Sequence, residues 1–161
     1  MNNQKLKLKD IRDRLENFLG RDKIVPRYDL YNNWPYRDND DVVNSIKVLV
    51  NCMIDDILNM ESIERKNNLE YDYFPLDYNA MYFIRSYYSY TGKKDAIKKA
   101  VYDIIFVLDE INIDKVGVLF NGGHNIHVMK RTLESFSQEF DWVPCDYKNQ
   151  SIILKNKNSK N

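Results

Sequence analysis

The pattern of apolar and polar positions is most regular between residues 95 and 140. From Ile97 to Ile111, apolar residues recur at spacings of three and four, and Phe106 and Val107 widen the stripe. This pattern predicts a helix that is apolar around most of its circumference and is therefore buried on more than one side. We expect this helix to lie at the centre of the fold.

A strand and a second helix follow in the same segment. Lys115–Phe120 is a short run rich in Val, Leu and Phe, which predicts an inner strand. From Ile126 to Phe140 the apolar residues return to helical spacing. The turn between them contains Gly122 and Gly123, which adopt positive φ without a steric penalty. The predicted order is helix, strand, glycine turn and helix.

Three more helices are predicted on the N-terminal side of this unit. An apolar stripe from about residue 5 to 19 ends at Gly20, a residue type that suits a helix C-terminus. A wide apolar stripe from Val43 to Met60 predicts a second buried helix, which we expect to pack against the 97–111 helix. A third helix is predicted from residue 78 to about 90, ended by Gly92.

The C-terminal part of the chain predicts a hairpin. Apolar residues alternate with polar ones from Trp142 to Tyr147, and residues 152–154 complete the second strand. Pro144 marks the first of these strands as an edge. The sequence thus predicts one α+β domain over residues 1–154, with four to five helices and a small sheet. Residues 155–161 are all Lys, Asn or Ser, so we expect a disordered tail.

Charge and cysteine content narrow the classes of function. The 161 residues include 24 basic and 24 acidic side chains, which argues against a surface built as a whole to hold polyanions. Cys52 and Cys145 lie far apart without CxxC spacing, so we expect two buried free thiols and a cytoplasmic protein. No apolar run is long enough to span a membrane. Adjacent carboxylates such as Asp55 and Asp56 diverge on a helix and are expected to face solvent.

The segment from residue 21 to 41 has no periodicity but is rich in aromatic side chains. The aromatic candidates for partner binding are Tyr28, Tyr31, Trp34 and Tyr36. Such residues either cover the core or anchor an interface. The preferred hypothesis is a small cytoplasmic module that binds another macromolecule, expected to be a protein, and acts as an inhibitor, immunity or adaptor factor by covering part of its surface. Heavy use of Asn, Lys, Ile and Tyr suggests an AT-rich source such as a mobile element.

The main alternative is a nucleic-acid surface on the predicted third helix. Its aromatic and cationic candidates are Tyr82, Arg85, Tyr88, Lys93 and Lys94. Aromatic rings stack on bases and cationic side chains neutralise phosphates, so this mixture suits a surface that binds nucleic acid. The same residues also have a structural explanation, because Tyr is abundant throughout the chain and Lys complements a helix C-terminus.

A weaker alternative is an enzyme at the glycine turn. The anion-binding candidates are Gly122, Gly123, His124 and Asn125, because a strand, a glycine turn and a helix N-terminus together can hold a phosphate. His124 and His127 are weak metal candidates, with Cys145 or Asp141 as a third ligand. No phosphate-loop motif or nucleophile and base pair accompanies them. The sequence therefore favours a binding protein without a cofactor over an enzyme.

Overall fold

A computed structural model describes residues 6–24, 42–64, 70–76, 96–119, 126–148 and 151–158. Within these ranges the chain has the predicted α+β fold class, with four helices and a mixed four-stranded sheet. The helices are α1 (Leu8–Leu19), α2 (Val42–Glu64), α3 (Ala96–Glu110) and α4 (Ile126–Glu139), and a 3-10 turn covers Arg21–Lys23. The strands are β1 (Leu6–Lys7), β2 (Glu70–Tyr71), β3 (Phe74–Leu76), β4 (Lys115–Leu119), β5 (Trp142–Lys148) and β6 (Ser151–Asn156).

The main sheet has the strand order β3-β4-β6-β5. β4 therefore lies inside the sheet, and β5, which contains Pro144, lies at one edge; both predictions are confirmed. β4 pairs antiparallel with β6, and β5 and β6 form the predicted hairpin. β3, which was not predicted, pairs parallel to β4 and forms the other edge. A three-residue strand with Pro75 at its centre carries almost no periodic signal.

The first helix begins later than predicted because two residues before it belong to a strand. Leu6 and Lys7 pair antiparallel with β2, so α1 begins at Leu8. Its predicted end is confirmed. Gly20 has φ of 100° and its N–H donates to the carbonyl of Glu16 at 2.9 Å, as expected for a glycine after the last helical turn.

One core joins these elements. Its largest fully buried side chains are Trp142, Tyr73, Phe74, Phe136, Ile11, Leu15, Leu49, Met53 and Ile57. α1 packs on α2, and α2 contacts both β3 and α3, which confirms the predicted pairing of the two apolar helices. Arg12 of α1 adds a two-pronged ion pair with Glu61 of α2, with N–O distances of 2.8 and 3.1 Å. This hydrogen bonding raises the pKa of Arg12.

The middle of β4 is covered on both faces, and it requires a glycine. Val116 and Val118 are buried on one side, and on the other the ring of Tyr73 lies against Gly117. A Cβ atom added at Gly117 would lie 2.5 Å from Cε2 of Tyr73 and 2.9 Å from Cδ1 of Ile153. Only a residue without a side chain lets the ring approach the strand this closely.

Residues 155 and 156, which were predicted to belong to the tail, are part of β6. β6 runs to Asn156, where Lys155 pairs with Val143 and Asn156 with Trp142. The backbone N–H of Asn156 donates to the carbonyl of Asp114, so this part of the tail is ordered by sheet pairing that its polar composition does not reveal. The helix predicted over 78–90 and residues 159–161 lie outside the described residues.

Candidate protein-binding surface

The residues predicted from the sequence to form sites lie almost entirely outside the described ranges. This holds for the partner-binding candidates Tyr28, Tyr31, Trp34 and Tyr36, for the nucleic-acid candidates Tyr82, Arg85, Tyr88, Lys93 and Lys94, and for the glycine-turn candidates Gly122, Gly123, His124 and Asn125. His127 lies in the first turn of α4, as predicted. These assignments stay predictions.

Two residues considered as further metal ligands lie at or near the edge strand. Cys145 is exposed on β5, which corrects the expectation that both thiols are buried, and Asp141 is exposed just before the same strand. Among the described residues, no group of three or more His, Cys, Asp or Glu side chains is placed to hold a metal ion.

The outer face of α3 exposes two aromatic rings. Tyr102 is 52% exposed and Phe106 is 50% exposed, one helical turn apart. Phe106 was expected in the buried stripe of this helix, and that expectation is wrong. Apolar periodicity shows that most of a helix is apolar, but it does not show which arc its neighbours leave uncovered. Scattered exposed apolar residues are common, whereas two adjacent rings on one helix face form a patch.

Neighbouring elements hold both rings in place. The ring of Tyr102 packs edge-on against Phe140 with 4.7 Å between centroids, and Phe106 packs edge-on against Phe18 of α1 at 6.2 Å. Phe18 and Phe140 are themselves half-buried against the core. We call these four residues the aromatic patch. Its rings are preorganised, so less side-chain entropy is lost when another molecule covers them.

A hydrogen bond from Arg14 also joins α1 to the end of α3. Arg14 donates from Nη1 to the carbonyl of Ile111 at 3.0 Å, where the end of α3 leaves carbonyl groups without helical partners. The next residue, Asn112, has φ of 60°, and Ile113 donates to the carbonyl of Leu108 at 2.8 Å. This left-handed cap ends α3 sharply and fixes the position of its last turn.

Charged side chains flank the patch. Lys98 lies above the ring of Tyr102, with its Nζ 5.9 Å from the centroid, and pairs with Glu139 at 3.6 Å. Lys99 pairs with Asp103 at 2.7 Å. Asp109 and Glu110 are exposed at the other end of α3. An aromatic centre with a polar margin is the usual composition of a protein interface.

A second cluster of polar residues lies inside the fold on α2. Asp55 and Asp56 are only 4% and 1% exposed, so the expectation that they face solvent is wrong. Asn51 is also buried and donates to the carbonyl of Lys47 at 2.8 Å. None of these residues lacks an interaction partner. Buried carboxylates of this kind follow from tertiary contacts, which sequence spacing along one helix does not reveal.

Cys52 lies on α2 in the same environment. It is completely buried, as predicted. Burial raises the pKa of its thiol well above the ordinary value, and the carboxylates of Asp56 and Asp55 raise it further. A buried thiol that is held protonated is a poor nucleophile, so this cluster does not form a reactive cysteine site.

The edges of the main sheet are less suited to partner binding. Pro75 lies in edge strand β3, and edge strand β5 contains Pro144 followed by a register shift before Asp146. Proline lacks the backbone N–H that strand addition requires, and a bulge turns the edge away from a partner. Among the described surfaces, the aromatic patch is therefore the stronger candidate for recognition.

Comparison with known proteins does not assign the chain to a class. No protein-family profile, curated protein sequence or solved structure matches it. Within the described ranges, no helix combines the length and apolarity that crossing a bilayer requires.

Proposed function

We propose that the protein is a small cytoplasmic binding module that recognises another protein, acting as an inhibitor, immunity or adaptor factor by covering part of its partner. The observation that carries this proposal is the aromatic patch, in which Tyr102 and Phe106 are half exposed while held by Phe140 and Phe18. Aromatic residues dominate the energy of protein interfaces when a partner desolvates them.

The free energy of binding at the patch depends on the conformational entropy lost as well as on the apolar surface that is covered. Half of each ring remains in water, so a partner that covers the patch gains the hydrophobic term for that surface. The rings lie on a helix and are fixed by edge contacts, so little conformational entropy opposes binding. The residues Tyr28, Tyr31, Trp34 and Tyr36 stay proposed as partner-binding residues on the grounds of their residue types alone.

The test is capture of a partner from the native host by tagged protein. We expect Phe106→Glu to lower partner affinity by about thirtyfold or more, the effect of losing a central aromatic contact worth about 2 kcal/mol. Leu58→Glu is the matched control, because Leu58 is an exposed apolar residue on α2 and is 43% exposed. Both variants must first show the circular dichroism spectrum of the wild type.

Two results would contradict the proposal. If folded Phe106→Glu retains the same protein as well as the wild type does, the aromatic patch is not the interface. If the captured material is lost on nuclease treatment and the purified protein has a high ratio of absorbance at 260 to 280 nm, the nucleic-acid alternative replaces the protein-binding one. Trp34→Ala, tested in parallel, separates the contribution of the 21–41 segment.

A further inference from the structure

We infer that the aromatic patch is covered by a second copy of this chain, which packs its own α3 antiparallel across the first. This inference rests on the proposed protein-binding function and names the partner. It is carried by a row of four exposed residues on α3, namely Lys98, Tyr102, Phe106 and Glu110. The residues are four positions apart, so they form one row along the helix that is about 18 Å long.

The α3 row is complementary to itself when reversed. A two-fold axis at the level of residue 104 places Tyr102 of one copy opposite Phe106 of the other, and Lys98 opposite Glu110. The aromatic contact and the ion pair are then each formed twice, as a symmetric interface requires. The parallel arrangement would instead place like charges opposite each other. Opposite charges at the two ends therefore select the antiparallel arrangement.

The charges on α3 are placed against the preference of the helix itself. Lysines near the N-terminus and acids near the C-terminus oppose the helix dipole, and α3 has no acidic residue in its first turn and no basic residue in its last. Lys98 and Lys99 lie at the first end, and Asp109 and Glu110 at the last. A second copy in the reversed orientation would place the opposite charge beside each end of the row.

Other charged groups near the row are compatible with this arrangement. Glu139 pairs with Lys98 within one copy, but both side chains are over 40% exposed and the N–O distance is 3.6 Å, so Lys98 can accept a second carboxylate without losing a strong contact. The row turns by about 40° around the helix at each step, so Lys98 and Glu110 of the two copies face each other, with the rings between them, when the helices cross at about −50°, the angle at which rows of this spacing lie side by side. With 24 basic and 24 acidic residues, two copies also approach without net repulsion.

The first measurement is sedimentation equilibrium of the purified chain from about 1 to 200 μM, the range in which an interface of this kind dissociates. We expect a monomer–dimer equilibrium, with an association constant at least about tenfold lower in Phe106→Glu and unchanged in Leu58→Glu. A monomer over the whole range, or a dimer that folded Phe106→Glu leaves intact, would overturn the inference.

Charge reversal tests the antiparallel geometry at exposed positions that leave the core intact. Lys98→Glu and Glu110→Lys should each weaken dimerisation about threefold to tenfold, because each variant places like charges opposite each other twice. An equimolar mixture of the two variants should form a heterodimer as tight as the wild-type dimer. The matched control mixes Lys130→Glu with Glu134→Lys, two exposed positions of α4 with the same change in net charge. A mixture no tighter than its separate components would exclude this arrangement.

Sedimentation and host capture, taken together, distinguish failure of the self-association from failure of the proposed function. If the purified chain stays monomeric but the host capture yields a different protein that Phe106→Glu releases, the self-association is wrong and the protein-binding function stands. If Phe106→Glu alters neither measurement, both are wrong. Should Phe106→Glu fail to fold, the mixture of charge variants decides the self-association alone.

Discussion

Replacement of Gly117 by alanine is the sharpest test of the packing between β3 and β4. The added Cβ would lie 2.5 Å from Cε2 and 2.6 Å from Cδ2 of Tyr73. Carbon atoms in contact lie about 3.5 to 4.0 Å apart, so the ring must move by about 1 Å. Tyr73 is buried and packs edge-on against Tyr71 at 5.1 Å, so the movement is transmitted to the β1–β2 pair.

The size of the effect follows from two opposing contributions. Overpacking of a core costs about 1 to 3 kcal/mol, and the lower entropy of the unfolded chain with alanine returns about 0.4 to 1 kcal/mol. We expect Gly117→Ala to lower the free energy of unfolding by about 1 to 2 kcal/mol. For a chain of this length, that corresponds to a fall in Tm of about 2 to 8 °C.

A double-mutant cycle in urea, followed by circular dichroism, isolates the contact. Tyr73→Leu removes the ring that the new Cβ would meet but leaves the contact with Cδ1 of Ile153, so Gly117→Ala should destabilise this background less than it destabilises the wild type. The coupling energy between the two positions should then be about 1 kcal/mol. Equal destabilisation in both backgrounds, or an alanine variant as stable as the wild type, would refute the role of the ring.

Two further predictions concern the core and the thiols. Ile104→Asp places a carboxylate at a fully buried position of α3. Burial of an unpaired carboxylate costs more free energy than the stability of most domains, so we expect this variant to show no cooperative unfolding transition. A normal melting curve would show that α3 is not central to the fold. At neutral pH a thiol reagent should modify one cysteine of the native protein and two cysteines in denaturant, because Cys145 is exposed while Cys52 is buried and its pKa is raised. Mass spectrometry identifies the modified cysteine. Rapid modification of Cys52 in the native protein would contradict its burial.

The parts of the fold that were predicted correctly have strong local signals. α3, β4 and the hairpin each have a regular period over several residues, and Pro144 correctly marks an edge. β3 was missed because its partner lies beyond α3 in the sequence and its three residues are too few to show a period. Gly117 was available as a signal, since a glycine within a strand indicates a close approach.

The aromatic patch was not predicted from the sequence. The partner-binding residues that were predicted lie in a segment outside the described residues, so they stay predictions. Phe106 was assigned to the core because it lies beside the buried Val107, and its exposure depends on how α1 and α4 are placed around α3. The burial of Asp55 likewise depends on contacts between elements. Exposure and burial at these positions are properties of the tertiary structure.

The pairing of β3 with β4 has a consequence for the way the chain folds. Lys148 pairs with Ser151, so the hairpin closes over a few residues, whereas Phe74 pairs with Val116 across the whole of α3. The entropy cost of closing a loop grows with its length, and contacts between distant residues slow folding. The hairpin is therefore expected to form before both the β4–β6 pairing, which spans α4, and the β3–β4 pairing, which spans α3, so that closure of the sheet on either side of β4 waits for the packing of a helix.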